Sequence, residues 1–219
     1  MKYTMFTKRL CILRDVFNFN PKVIYDIGAH EGTWTAEVKP IFPNSVYVQF
    51  EADLDKKYFL SEYPSFFEVF GNEDGKLVDY YKTKFQYTTG NSIFLENSKH
   101  YDVNSTCIIE KRTMKRIDTV VAEQSLHLPD FIKIDTQGSE LLILEGAPKC
   151  MANAEVILLE VSLHEYNKGS PLLAEVVAFM NERGFILFDM VDLHYINNVL
   201  AQIDCLFCKK DSKYLLHSF

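Results

Sequence analysis

V-I-Y-D-I-G-A-H-E-G-T-W-T, residues 23 to 35, is the stretch that decides the fold. Val23, Ile24, Tyr25 and Ile27 are β-branched, aromatic or both apolar and bulky, the composition of a buried strand. Gly28 and Gly32 follow at once, and then come residues able to enter a helix. A strand, a glycine turn and a helix start present outward backbone N–H groups at the positive end of a peptide dipole, which suits a nucleotide or an amino-acid-like ligand. A dinucleotide fingerprint requires glycines as G-x-G-x-x-G, whereas this chain reads Asp26-x-Gly28-x-x-x-Gly32. An acid two residues before the first glycine suits an ammonium beside a carboxylate, the methionine end of S-adenosylmethionine. Glu51 closes the next strand, Ser45 to Phe50, at about the spacing where an acid binds ribose hydroxyls in such folds.

Size and charge narrow the field. A chain of 219 residues, 47% hydrophobic and 24% charged, is expected to form a single domain, 1–219, with a full core. A net charge of −7 argues against gripping nucleic acid through its phosphates, which needs a basic face. No apolar run reaches the roughly 18 residues of a membrane span. The start, M-K-Y-T-M-F-T-K-R-L-C-I-L-R, reads as an amphipathic helical cap over residues 1–20 rather than a signal peptide, and the simplest expectation is a bacterial-type cytoplasmic enzyme. Five cysteines without framework spacing indicate free thiols. Cys205 and Cys208 fall inside an apparent strand, where residues three apart face opposite sides and cannot grip one zinc ion.

Along the chain, Asp53 to Tyr63 reads as a helix stopped by Pro64, and Phe66 to Phe70 as a third strand. The polar turn Gly71 to Gly75 follows, with Asn72 a candidate contact beside adenine and ribose; a plain hairpin turn is the other reading. Residues 76–117 read as an insertion: antiparallel strands Lys76 to Thr83 and Thr106 to Ile117 flank Tyr87 to Ser98, a lid or a solvated connection. Asp118 is placed to cap a helix over Thr119 to Gln124. Phe131 to Asp135 is a compact strand, Glu140 to Glu145 a helix closed by Gly146 and Pro148, and Glu155 to Val161 another strand. A core stripe from Leu172 to Met180 and strands Phe185 to Val191 and Ile203 to Lys209 complete an α/β pattern, a mostly parallel, doubly wound sheet with an antiparallel C-terminal strand.

In open α/β sheets ligands bind beyond the carboxyl ends of the strands, where Asp26, Glu51, Asp135 and Glu160 are all expected. Acids gathered on one rim require positive charge, and a sulfonium supplies one unit. If the strands of Asp135 and Glu160 are neighbours, the two stand roughly 5 Å apart at the backbone. That separation suits Mg²⁺ or Mn²⁺ better than zinc. His164 then completes the site or acts as base. Alternatively Asp135 orients substrate, Glu160 makes a structural hydrogen bond and His164 sits on a solvated loop. His30 lies in the glycine turn and is expected to contact the cofactor.

With these residues placed, the chain resembles the FkbM family of S-adenosylmethionine-dependent methyltransferases. The matching pieces are D-I-G-A-H-E-G (26–32), F-E-A-D (50–53), T-G-N-S (89–92), K-I-D-T-Q-G-S-E (133–140), L-E-G-A (144–147), L-L-E-V-S (158–162) and Q-I-D-C-L-F (202–207). The resemblance implies a Rossmann-like class I methyltransferase fold and O-methylation, commonly of sugar hydroxyls or natural-product alcohols. It implies that Asp26, Gly28, His30, Gly32 and Glu51 hold the cofactor, and that Asp135, Gln137 and Glu140 lie at the reacting end with Asn91 and Ser92 folded against it. His30 stands where the family often has Asn. The expected acceptor is a saccharide or nucleotide-linked sugar, as in capsule or lipopolysaccharide biosynthesis. The Asn/Asp-Pro-Pro-Tyr/Phe string of base-modifying enzymes is replaced by Asp135-Thr136-Gln137-Gly138. Two further readings are an NAD-linked oxidoreductase, disfavoured by the missing middle glycine and Tyr-x-x-x-Lys pair, and a non-catalytic cofactor-binding module.

Overall fold

The computed structural model describes residues 4–84, 90–97 and 103–212. Its first elements are helix α1 (Met5–Asp15), β1 (Val23–Ile27), α2 (Thr33–Val38), β2 (Val46–Glu51), β3 (Ser65–Phe67), β4 (Val69–Phe70) and β5 (Leu77–Thr83). Next come α3 (Val103–Thr106), β6 (Cys107–Lys115), α4 (Ile117–Glu123), β7 (Phe131–Ile134), α5 (Glu140–Glu145) and α6 (Pro148–Asn153). The chain closes with β8 (Val156–Ser162), α7 (Leu173–Glu182), β9 (Phe185–Ile196) and β10 (Val199–Lys209).

The main sheet has seven strands in the order β3-β2-β1-β7-β8-β10-β9. All neighbours pair in parallel until β10, which runs antiparallel to both β8 and β9. This is a Rossmann-like sheet with the antiparallel strand at its C-terminal side, as the sequence pattern implied. The strand order reverses between β1 and β7, the place where open α/β sheets form a crevice.

Burial on both faces explains the nearly unbroken apolar strands. Tyr25, Ile27, Val48, Phe50, Ile132, Ile134, Ile157 and Leu159 join one core layer with Val120 of α4, Ile143 of α5, Met151 of α6 and Val176 of α7. Ile24, Tyr47, Phe131, Leu158 and Leu206 join the opposite layer with Phe6, Leu10 and Leu13 of α1. By the strand's alternation, Asp26, Lys133 and Glu160 point to the α1 side. Cys205 and Cys208 fall in different layers, so they cannot act as a pair.

Several local expectations are revised. Residues 53–63 hold only a single 3₁₀ turn, Leu54–Tyr58, capped by the Asp53 carboxylate on the Asp55 N–H. The strand expected over Phe66 to Phe70 is split. β3 pairs with β2 in the main sheet, whereas β4 pairs with β6 in a second, three-stranded sheet ordered β4-β6-β5. Asp118 lies inside α4, and its carboxylate instead accepts the Lys149 and Cys150 N–H groups (2.8 and 3.2 Å) at the start of α6. Pro148 opens that helix as its first residue rather than marking a stop. Of the stretch read as a lid, Tyr87, Thr88, Thr89 and Ser98 lie outside the described residues. Its described part is pinned on both sides, with Ser92 bridged to Tyr81 and Glu96 to Asn167.

Candidate active site

The turn after β1 is built by close backbone approach. Gly28 has φ +74°, and a Cβ there would meet the Asp135 carbonyl oxygen at 1.8 Å. The N–H groups of Gly28 and Ala29 both donate to Phe50 O (2.8 and 3.1 Å), tying the turn to the end of β2. His30 takes a positive φ of 50°, and its N–H donates to Glu51 Oε2 at 2.6 Å. The other Glu51 oxygen accepts the Asp53 N–H at 2.8 Å. Burial holds the Glu51 carboxyl above its ordinary range despite these donors. Burial, with the Lys56 charge second, pushes the His30 imidazole below its ordinary range. Gly28, His30 and Glu51 all line a cavity of about 850 Å³. Gly32 does not line it; at φ +77° it caps α2, and a Cβ there would press on Leu60 and Gln49.

Asp26 corrects the sequence reading. It is 0% exposed and is absent from the cavity wall. Its Oδ2 accepts the Thr35 hydroxyl at 2.7 Å, and its Oδ1 lies 3.1 Å from Lys133 Nζ. Thr35 in turn accepts Gln49 Nε2 at 3.1 Å. So enclosed, the acid is the counter-ion of a buried lysine.

Lys133 had no role assigned from sequence, yet it organises the centre of the site. Its side chain is only 7% exposed, and its Nζ donates to Gly28 O at 2.9 Å and stands 3.8 Å from Asp135 Oδ2. The Trp34 ring lies against it, 5.9 Å from Nζ to centroid. Burial works to lower the pKa of this ammonium, but Asp26, Asp135 and Glu160 together more than offset it and hold the group above its usual range. The signal was present in F-I-K-I-D: a lysine inside a strand buried on both faces must have an anionic partner.

The carboxyl ends of β7 and β8 carry the acids expected of them. The Ile134–Leu159 pairing puts Asp135 beside Glu160. Asp135 is 41% exposed at the cavity. Glu160 Oε2 accepts Gln137 Nε2 at 2.6 Å and Gln202 Nε2 at 2.8 Å. Burial, then the charge of Asp135, raises the Glu160 carboxyl well above the usual carboxylate range. Gln137 lines the cavity at φ +55°, and its carbonyl accepts the Ser92 hydroxyl at 2.8 Å, so Ser92 joins the wall as expected. Gln202, missed from sequence, lines it too.

Other candidates are not brought in. Glu140 is buried and does not reach the cavity; its Oε1 accepts the Thr136 and Gly138 N–H groups, both at 3.0 Å, and so shapes the turn that carries Gln137. His164 is exposed on the connection after β8 and does not line the cavity. Asn72 bonds Glu145 Oε2 at 2.8 Å, also outside the wall. Asp135 and Glu160 do not form the compact ligand group among the described residues. Glu160, His194 and Asp204 do, with ligand atoms all within 4.8 Å, although His194 already pairs with Asp204 at 3.2 Å. The positive charge that an ion would bring to Asp135 is supplied there by Lys133.

The second sheet supplies the remaining wall. Tyr80 and Thr83 of β5 line the cavity, as do Asn91 and Ser92. Asn91 Oδ1 accepts the Thr83 N–H at 2.8 Å, and its Nδ2 donates to Asp53 at 3.1 Å, so the wall is bonded to the segment that follows β2. The result is a concave site with the Glu51 carboxylate fixed by two backbone N–H groups, Gly28 packed against the Asp135 carbonyl and a polar far end at Asp135, Gln137 and Glu160.

The family model described as the methyltransferase FkbM domain matches residues 26–187. No curated protein matches the chain. Among solved structures, the methyltransferase FkbM of Methylobacillus flagellatus KT is similar with TM-score 0.50 and 14% identity, covering 85% of this chain and 43% of that one. The chain thus spans less than half of that protein. An uncharacterized protein of Listeria monocytogenes serotype 4b gives TM-score 0.51 and 9% identity, covering 96% of this chain and 70% of that one. The precorrin-6y C5,15-methyltransferase of Geobacter metallireducens GS-15 gives 0.47 and 14%, covering 93% and 88%. These likenesses are likenesses of fold.

Proposed function

This chain belongs to the FkbM family of S-adenosylmethionine-dependent methyltransferases, and from that premise we propose that it methylates a hydroxyl of a saccharide or a nucleotide-linked sugar, as in capsule or lipopolysaccharide biosynthesis. The observation that carries the reading is the far end of the cavity, where half-exposed Asp135 stands beside Gln137, Glu160 and Gln202. A wall of carboxylates and carboxamides matches an acceptor rich in hydroxyl groups.

The residues present fit the methyl donor. Glu51 offers a cavity-lining carboxylate whose orientation is fixed by two backbone N–H groups, the requirement for holding a ribose. Gly28 lines the cavity, and its lack of a side chain lets the turn after β1 pass directly against the Asp135 carbonyl. When bound, S-adenosylmethionine supplies a methyl group on a sulfonium, the electrophile of an in-line displacement. The protein's share is alignment, worth up to about 7–11 kcal/mol in favourable cases, and removal of the acceptor proton, worth about 10²–10⁴-fold. We assign proton removal to Asp135, an acid half-exposed at the cavity beside Gln137. Gln137 and Glu160 orient the acceptor beside it. His164 has no part in this reading, because the fold leaves it outside the cavity. A net charge of −7 favours a small acceptor over nucleic acid.

The test is transfer of a labelled methyl group from S-adenosylmethionine to a panel of nucleotide sugars, glycans, RNA and small amines. Label in an alkali-stable ether on a sugar is expected. Label confined to RNA or to a nitrogen acceptor would overturn the acceptor class. Chelation should leave turnover unchanged, since Lys133 is already the counter-charge at Asp135. Loss on chelation that Mn²⁺ or Mg²⁺ restores would instead give proton removal to an ion at Glu160.

A further inference from the structure

The sequence pattern gave Asp26 the task of meeting the cofactor's ammonium, and the fold closes that route. How the amino-acid end of the donor is held is therefore open. We infer that Lys133 anchors its carboxylate, so that the polarity of this subsite is the reverse of what the sequence implied. The inference rests on the methyl-donor reading given above.

Three observations carry it. Lys133 and His30 are the cationic residue types among the described residues that line the cavity, and the His30 imidazole is held towards its neutral form by burial. Lys133 is thus the permanent positive charge on that wall. Second, its donors are not all engaged. A lysine ammonium has three. One makes an aligned hydrogen bond to Gly28 O at 2.9 Å. Asp26 Oδ1, its counter-ion at 3.1 Å, draws on a second, and Asp135 stands beyond hydrogen-bond distance of the third at 3.8 Å. Donor capacity remains on a group buried at the cavity wall.

Third, its position suits the length of the ligand. Glu51 ends β2 and Lys133 lies in β7, with β1 between them. Two strand spacings of about 4.8 Å give roughly 10 Å, a distance that a ribose, sulfur and aminocarboxypropyl chain can cross. A zwitterionic end also suits the local charge. Its carboxylate meets the lysine, while the acids Glu51, Asp135 and Glu160 on the same cavity wall favour the adjoining ammonium.

Isothermal titration of the purified chain with three ligands tests this. S-adenosylhomocysteine carries the whole amino-acid end, its decarboxylated analogue lacks only the carboxylate, and 5′-methylthioadenosine lacks the amino-acid end altogether. For the unaltered protein, loss of the carboxylate is expected to weaken binding about 10- to 100-fold, as suits a charge-assisted bond. Lys133→Gln should weaken S-adenosylhomocysteine by a similar factor and leave 5′-methylthioadenosine within about twofold. Lys133→Gln with Asp26→Asn removes both buried charges and provides the same comparison if the single variant does not fold. Equal affinity of the unaltered protein for S-adenosylhomocysteine and its decarboxylated analogue would overturn the inference alone, as would equal weakening of all three ligands by the variant. Failure of all three to bind the unaltered protein would overturn the donor reading with it.

Discussion

Asp26 is turned away from the cavity wall that Lys133 joins, and the cause is burial. An acid beside a glycine turn looks available to a ligand when only spacing is known. In the fold it is 0% exposed and spends its oxygens on Thr35 and Lys133. Removing one member of such a pair strands the other charge, at a cost of about 3–5 kcal/mol. Asp26→Asn should therefore lower the melting temperature by roughly 6–20 °C, taking about 2–4 °C per kcal/mol for a chain of this size. A melting curve checks it; an unchanged midpoint with weakened donor binding would restore Asp26 to the ligand. Asp135→Asn should do the opposite. Its carboxylate faces the cavity, so kcat should fall about 10²–10⁴-fold, well beyond any loss of S-adenosylhomocysteine affinity seen by calorimetry. The glycine turn, Glu51 and the Asp135 rim were legible because each is a residue type at a strand end. Gln202 was not, since it reaches Glu160 across forty-two positions of chain. His164 was misplaced because spacing along a connection says nothing about where that connection turns.

Elements were legible where period and punctuation agree, as in α5, which matches Glu140 to Glu145 at both ends. They were less so where partners decide. β3 and β4 share one apolar run, yet each pairs in a different sheet, and Glu68 marks the break. β9 and β10 extend well past the apolar segments read from sequence, because their pairing continues through polar residues. Within that hairpin the His194–Asp204 pair gives a pH test. The Asp204 carboxylate, 3.2 Å from the ring, raises the His194 pKa, and the charges of Asp192 and Asp135 act in the same direction against partial desolvation. A raised folded-state pKa means that the protonated imidazole stabilises the fold. Its contribution is complete below the unfolded value of about 6.5 and is lost as pH rises through the folded value. The melting temperature of the unaltered protein should thus exceed that of His194→Gln most near pH 5.5, and the gap should close towards pH 8.5, values set about the ordinary histidine range. A gap independent of pH would show that the ring contributes only by packing.

At the scale of the whole molecule, the cavity lies where the sheet reverses its strand order, and both core layers meet the strands that build it. Binding there should stabilise the folded chain as a unit. S-adenosylhomocysteine at 100 times its Kd adds about 2.7 kcal/mol, or roughly 5–11 °C for a chain of this size, whereas NAD should give no shift. The α1 core layer provides the control. Leu10 of α1 is fully buried against the sheet and does not line the cavity. Leu10→Ala should cost about 2–5 kcal/mol through lost contacts and the space left behind. Because Leu10 does not itself line the cavity, the two effects should add. The variant should melt well below the unaltered protein in the absence of ligand, yet gain the same stabilisation at the same multiple of its own Kd. A smaller gain at that ratio would mean that the folded variant does not bind as one cooperative unit, and that the α1 layer and the cavity are energetically linked through the Phe6–Trp34 ring contact, since Trp34 reaches both.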